Sequence, residues 1–147
     1  MDDEPDNVAL LTRILHQVYD VDSANSGPEA LDKLRHQPVD IIITDQRMPG
    51  MTGAEFLAET LALAPEAIRI VVSAYSDFEA ILDAINVAGA SAFLRKPVSA
   101  GTLEAALSKA LQAKTRAVEQ SRAIAELEKQ NQELQARLED LEAKIAK

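Results

Sequence analysis

A chain of 147 residues is long enough for one packed domain and an appendage, and without a single cysteine it has neither a disulfide framework nor a thiolate metal site. Its net charge of −9 resides in residues 1–99, with 16 acids against 7 bases, while residues 100–147 carry 8 of each, a balance that argues against direct nucleic-acid binding. No apolar run approaches the ~20 residues of a membrane span, and the first residues are acidic where a secretory leader is basic, so a cytoplasmic chain with no membrane partner is expected.

The first helix is predicted over about Asn7–Tyr19, because Val8, Leu11, Leu15 and Val18 recur on one face at spacings of three and four. Val21–Ala24 is a short strand candidate. Ser26-Gly27-Pro28 then opens a helix through Ala30, Leu31 and Leu34, with proline near the start, and Gln37-Pro38 ends it. The next stretch, Val39 to Gly53, reads Val-Asp-Ile-Ile-Ile-Thr-Asp-Gln-Arg-Met-Pro-Gly-Met-Thr-Gly. Its β-branched run suits a strand buried on both faces, and it stops at Asp45 ahead of Met-Pro-Gly turn chemistry.

Thr52–Leu63 is predicted as a third helix, stopped by Pro65, and Ile68–Ser73 as the next strand. Asp77–Val87 follows as a helix with Phe78, Ile81, Leu82 and Ile85 inward, then Ala92–Leu94 as a brief strand. Such alternation of strand and helix is the pattern of an α/β doubly wound parallel sheet. Chemistry in such sheets collects outside the carboxyl ends of the strands, where Asp45, Ser73 and Lys96 fall.

From Ser99 onward the pattern is helical. Ile124, Asn131, Leu138 and Ile145 fall seven apart and interleave with Leu127, Leu134 and Leu141, which makes a heptad seam with the first set at a and the second at d. A polar Asn131 at an a position costs stability and favours two parallel strands in register, with Arg137 at g able to meet Glu142 at e of a partner. Leu111 and Val118 sit one position out of this frame, so the helix is expected to change face there. The expected division is a domain over 1–112 and a dimerisation helix over 113–147, continuous with the last helix of the domain.

Five landmarks agree in type, order and placement: the acid pair in Asp2-Asp3-Glu4-Pro5, Asp45 after the central run, Ser73 in Val71-Val72-Ser73-Ala74, and Phe93 with Lys96 in Phe93-Leu94-Arg95-Lys96-Pro97. Singly, each is a turn residue, a strand-end hydroxyl, core material or a surface cation; together they resemble the receiver domain of two-component response regulators over residues 2 to about 112. The resemblance implies a flavodoxin-like sheet of order 2-1-3-4-5. It implies Asp45 as phosphoacceptor, Mg²⁺ held by Asp2, Asp3, Asp45 and the carbonyl of Arg47, Ser73 bonding a phosphoryl oxygen, and Lys96 pairing with the modified carboxylate. Phe93 matches the aromatic switch position that follows Ser73, and Lys96-Pro97 the cis peptide. The implied phosphodonor is a histidine kinase, a phosphotransfer protein or a small phosphodonor. Such a domain catalyses its own phosphorylation and dephosphorylation and is no turnover enzyme; its coiled coil would form a homodimer and lead to an output module not found in these residues.

One departure bears on all of this. In the receiver family the acid pair closes a first strand in the middle of the sheet, whereas here Met1 directly precedes Asp2. Absence of that strand predicts unpaired edges, an unanchored acid pair, and compensation by rearrangement, strand borrowing or oligomerisation. The alternative reading is therefore a phosphorylation-incompetent structural dimerisation scaffold. An aspartyl-phosphate hydrolase is disfavoured, because Arg47 stands two residues after Asp45 where a second acid is expected.

Overall fold

The computed structural model describes residues 1–74 and 78–147. Strands β1 (Ile41–Asp45), β2 (Ile68–Ser73) and β3 (Ala92–Arg95) alternate with helices α1 (Pro5–Leu15), α2 (Gly27–His36), α3 (Gly53–Leu63), α4 (Phe78–Asn86) and α5 (Ala100–Ile145). The strands form one parallel sheet in the order β1-β2-β3, with Asp45 level with Val72 and Ser73 level with Arg95. All three therefore end on the same edge.

Local chemistry sets the element boundaries. The Ser26 hydroxyl accepts a hydrogen bond from the Glu29 amide at the start of α2, and Thr52 and Glu55 bond reciprocally across the first turn of α3 as a capping box. β2 is buried along its whole length, as a central strand covered on both faces must be. One polar member, Arg69, lies within it, only 3% exposed. Its guanidinium donates to the carbonyls of Thr60, Ala64 and Ala67 and to the Thr60 hydroxyl, so oxygens of the last turn of α3 and of the loop after it satisfy the buried charge.

Apolar residues pack on both faces of the sheet. Phe56 and Leu57 of α3 pack with Ile42, Val71 and the two alanines Ala84 and Ala88 on one face. Leu103 and Leu107 of α5 pack with Ile70, Val72 and Leu94 on the other.

Several sequence expectations are corrected. α1 ends at Leu15, and Val18 lies beyond it, 77% exposed. Residues 21–24 form no regular strand, because a strand needs a ladder partner and among the described residues only Asp2 supplies one, its amide donating to the Ala24 carbonyl. In α4, Leu82 and Ile85 are 44% and 47% exposed. The inward side is instead the Ala84 side, where small side chains allow α4 close to α3. Asp77 and the side chains of Phe78 and Ile81 lie outside the described residues.

The acid pair, expected to be unanchored, is held. The Met1 nitrogen donates to the Ile43 carbonyl at 2.6 Å, the Asp45 amide donates to the Met1 carbonyl at 3.0 Å, and the Asp2 amide reaches Ala24 at 3.3 Å. Those three bonds are one rung of a parallel ladder between residue 24 and β1, and they bury Asp2 to 2% exposure.

The chain separates into two compact units, Met1–Ala110 and Leu111–Lys147. The second is helical throughout to Ile145, and its residues Ile124, Leu127, Asn131, Leu134, Leu138, Leu141 and Ile145 are all exposed. Among the described residues, no helix is long and apolar enough to cross a membrane.

Candidate functional site

Each strand end delivers one group. Asp45 is the last residue of β1, Ser73 the last of β2, and Lys96 follows β3, its amide donating to the Ser73 carbonyl at 2.9 Å. Asp2 and Asp3 arrive from the Met1 rung on the open side of β1. Oxygen atoms of Asp2, Asp3 and Asp45 all lie within 4.8 Å of one another. The Lys96 ammonium bridges two of these acids, 3.0 Å from Asp45 Oδ1 and 3.3 Å from Asp2 Oδ2.

Electrostatics follow from this crowding. Burial, helped by the neighbouring Asp2 charge, pushes the Asp45 carboxyl above the usual carboxylate range, although the Lys96 hydrogen bond and charge pull it down. Burial works against the Lys96 charge, but hydrogen bonds and attraction from Asp45 and Asp2 outweigh it and raise its pKa.

The loop behind Asp45 is pinned by residues that carry no obvious signal in the sequence. Gln46 is buried; its amide donates to the Val72 carbonyl, its carbonyl accepts from the Gly53 amide, and its side-chain oxygen accepts from the Ala54 amide. Thr44 is fully buried and its hydroxyl donates to the Asp45 carbonyl at 2.9 Å. Gly53 is required for space, since a Cβ there would sit 2.3 Å from the Asp45 carbonyl oxygen. Gly50, at φ +79°, makes the turn between them. A recess of about 300 Å³ opens beside Asp2 and Lys96, bounded by Leu10, Leu11, Pro97 and Val98.

With an acid and a hydroxyl closing two strands, a lysine just after the third and an acid pair alongside, the chain matches the response regulator receiver domain family over residues 1–108. The chain belongs to that family. Receivers are signalling domains of two-component systems, and the acidic site of the family binds Mg²⁺. The chain is 43% identical over 97 residues to the hydrogenase transcriptional regulatory protein HoxA of Cupriavidus necator, covering 66% of this chain and 20% of that protein. It spans between a fifth and a quarter of the length of the curated relatives it matches. Among solved structures it resembles a CheY-like receiver domain protein of Methanospirillum hungatei, with a TM-score of 0.72, 28% identity, and 78% of this chain and 92% of that one covered. A response regulator of Burkholderia pseudomallei, solved with a phosphorylated aspartic acid and a calcium ion, aligns with a TM-score of 0.68 at 26% identity, covering 78% and 68%.

Of the residues singled out from sequence, this receiver brings Asp2, Asp3 and Asp45 within reach of one another and Lys96 against Asp2 and Asp45. Ser73 stands at the adjacent strand end, 1% exposed, its hydroxyl donating to the Ala74 carbonyl at 3.3 Å. Phe93, paired with Val71 in the sheet, packs partly buried against the Phe56 side of the core. Arg47 follows in the loop beyond Asp45 with an exposed side chain. The Lys96-Pro97 peptide is cis.

Proposed function

We propose that this receiver is a phosphorylation switch whose acceptor is Asp45, dimerised through its C-terminal helix. The observation that carries the reading is the convergence of three carboxylates on one point, with Lys96 held between two of them. A structural scaffold has no need of this arrangement, since buried like charges cost stability.

Attack by an Asp45 oxygen on a phosphorus atom forms the O–P bond while the bond to the donor breaks: P–N for a phosphohistidine of a kinase or phosphotransfer protein, P–O for an acyl phosphate. The leaving imidazole or carboxylate takes the electron pair of the broken bond. Lys96 meets the negative charge that the modified side chain presents, and the Ser73 hydroxyl turns from the Ala74 carbonyl to donate to a phosphoryl oxygen. Phe93 is assigned the part of reporting that turn to the far side of the sheet. Hydrolysis by water returns Asp45 to a free carboxylate, so the cycle consumes the modification without making the domain a turnover enzyme.

The donor set fits Mg²⁺. Asp2, Asp3 and Asp45 supply hard oxygen ligands within one cation's reach, the Arg47 carbonyl is placed by sequence next to them, and ions of this kind keep part of their water shell. When bound, the ion supplies neutralising charge to the phosphoryl oxygens.

The seam from Ile124 to Ile145 supports dimerisation. Leu127, Leu134, Leu138 and Leu141 are 64%, 64%, 57% and 49% exposed at heptad spacing, which a parallel partner would cover, with Asn131 setting register. The coiled coil is read as the lead into an output module. Exposure of the chain to acetyl phosphate and Mg²⁺ tests the switch: intact mass should show one phosphate adduct, absent in Asp45→Asn and absent without a divalent cation. An adduct that persists in Asp45→Asn would move the acceptor elsewhere.

A further inference from the structure

Gln46 stands between Asp45 and Arg47, and the start of α3 depends on it. A helix begins with four amides that have no partner within it. In α3 these belong to Thr52, Gly53, Ala54 and Glu55. The capping box serves two of them, the Thr52 amide donating to Glu55 Oε2 at 2.9 Å and the Glu55 amide to the Thr52 hydroxyl at 3.2 Å. Gln46 serves the other two: its carbonyl accepts from the Gly53 amide and its side-chain Oε1 from the Ala54 amide, both at 3.0 Å.

A capping side chain ordinarily stands immediately before its helix, whereas Gln46 lies eight residues ahead of Ala54. Its two bonds therefore close the segment from Gln46 to Gly53 into a ring that contains Arg47. The Gln46 amide donates to the Val72 carbonyl at 3.0 Å and so fixes the ring to β2, one residue before Ser73. With its amide and carbonyl both bonded, the planar peptides on either side of Gln46 are pinned. Gly53 presses on the same spot, since a Cβ there would meet Gln46 Cα at 3.0 Å. Packing alone does not call for an amide side chain. Gln46 is 5% exposed, and an apolar chain of the same length would fill the space but leave the Ala54 amide without its acceptor.

We propose, on the switch reading given above, that Gln46 is a positioning residue: its side-chain oxygen locks the loop whose members Asp45 and Arg47 that reading gives to Mg²⁺. Gln46 itself touches neither the ion nor the phosphoryl group. It acts through its two neighbours, because release of the Ala54 bond frees the ring to turn and carries the residues on both sides of Gln46 with it. A clamp that favours the ion by some factor is favoured by the ion through the same factor, since the two equilibria share one bound state. Affinity for Mg²⁺ and closure of the Gln46–Ala54 bond are therefore two readings of one coupling.

The experiment measures Mg²⁺ binding by calorimetry on the full chain, on Gln46→Met, which keeps the length and loses the acceptor, and on Gln46→Glu, which keeps the acceptor. All three are compared at a temperature where circular dichroism shows them folded. Gln46→Met should bind Mg²⁺ about tenfold more weakly or worse, the loss that follows when a residue orienting metal ligands is removed, while Gln46→Glu should keep its affinity. A merely structural role would lower the melting temperature of Gln46→Met and leave the affinity of its folded form intact. That result would overturn the proposal, as would equal weakening in Gln46→Glu. The unsubstituted chain supplies a test that needs no variant: saturating Mg²⁺ should slow hydrogen exchange at the Ala54 amide by the same factor of about ten, and leave the Gln37 amide at the far end of α2 unchanged. An Ala54 amide indifferent to the ion would overturn the proposal whether or not Gln46→Met folds. Failure of the unsubstituted chain to bind Mg²⁺ would bring down the metal assignment of the switch reading and this proposal together, whereas normal binding in Gln46→Met brings down the proposal alone.

Discussion

Lys96 is the cation on which two buried acids depend, and Lys96→Met removes its charge while keeping much of its length. At an effective dielectric of ~20, each contact, at 3.0 Å to Asp45 and 3.3 Å to Asp2, is a gross attraction of about 5 kcal/mol. Desolvation of the three groups offsets most of that. Breaking a buried pair costs ~3–5 kcal/mol, and because the Lys96 side chain keeps 27% exposure, a loss of about 2–4 kcal/mol is expected here. For a domain of this size that lowers the melting temperature by about 10 °C. The pH dependence has a definite sign. Lys96 sits above its ordinary value of 10.5, so its contribution is complete below that pH and fades as pH rises through the folded value. Asp45 is already raised above 3.8 with Lys96 present; without it the carboxyl rises further, so the deficit of the variant grows as pH rises through that window. Mg²⁺ at about 100 times its dissociation constant should return ~2.7 kcal/mol to the variant. Thermal unfolding from pH 4 to 8, with and without Mg²⁺, checks all three effects. A deficit that stays flat across this range would refute the electrostatic argument, and one that Mg²⁺ leaves untouched would refute the metal assignment.

Gly53→Ala should destabilise the domain by ~1–3 kcal/mol, because the added Cβ meets the backbone carbonyl of Asp45 and cannot be accommodated by a side-chain rotation; it should also slow phosphate incorporation, and normal stability and rate in this variant would show that the loop is free to give way. Deletion of residues 116–147 should lower the oligomeric state in sedimentation, and an unchanged dimer would place assembly in the receiver itself. Asn131→Leu should raise the unfolding temperature of the full chain while broadening its distribution of oligomers, and a loss of stability would show that position 131 does not face a partner.

Where sequence signals were local and covalent, they sufficed to bring the strand ends together. The run Ile41–Thr44 ends at Asp45, Ile68–Val72 at Ser73, and the third short strand gives way to Lys96-Pro97; because parallel strands in one sheet share a carboxyl edge, the order of residues implied their convergence. The misreadings have a common cause. Periodicity finds an apolar stripe but not which stripe is covered, so Leu82 and Ile85 looked inward while Ala84, too small to register, makes the buried contact. Gln46 escaped notice because its three bonds serve backbone groups of residues 53, 54 and 72, and nothing in its neighbours' identities announces them. The anchoring of Asp2 was illegible because one residue, Met1, does the work of a strand through its backbone alone.

Both ends of α3 are tied down. Its first turn is tied to the loop that holds Asp45, the Gly53 and Ala54 amides donating to the carbonyl and side-chain oxygens of Gln46; at its last turn the carbonyls of Thr60 and Ala64 accept from Arg69, which belongs to the fully buried strand β2. A rod clamped at both ends to the same sheet cannot slide or tilt without breaking the Arg69 bonds at one end or the Gln46 bonds at the other. α3 is accordingly the stator of this domain, the fixed frame against which any displacement has to be measured. On the function proposed above, a change born at Asp45 leaves by the other exit, past Ser73 and Lys96 toward β3, so a label on α3 is expected to stay silent while one on the β3 side speaks.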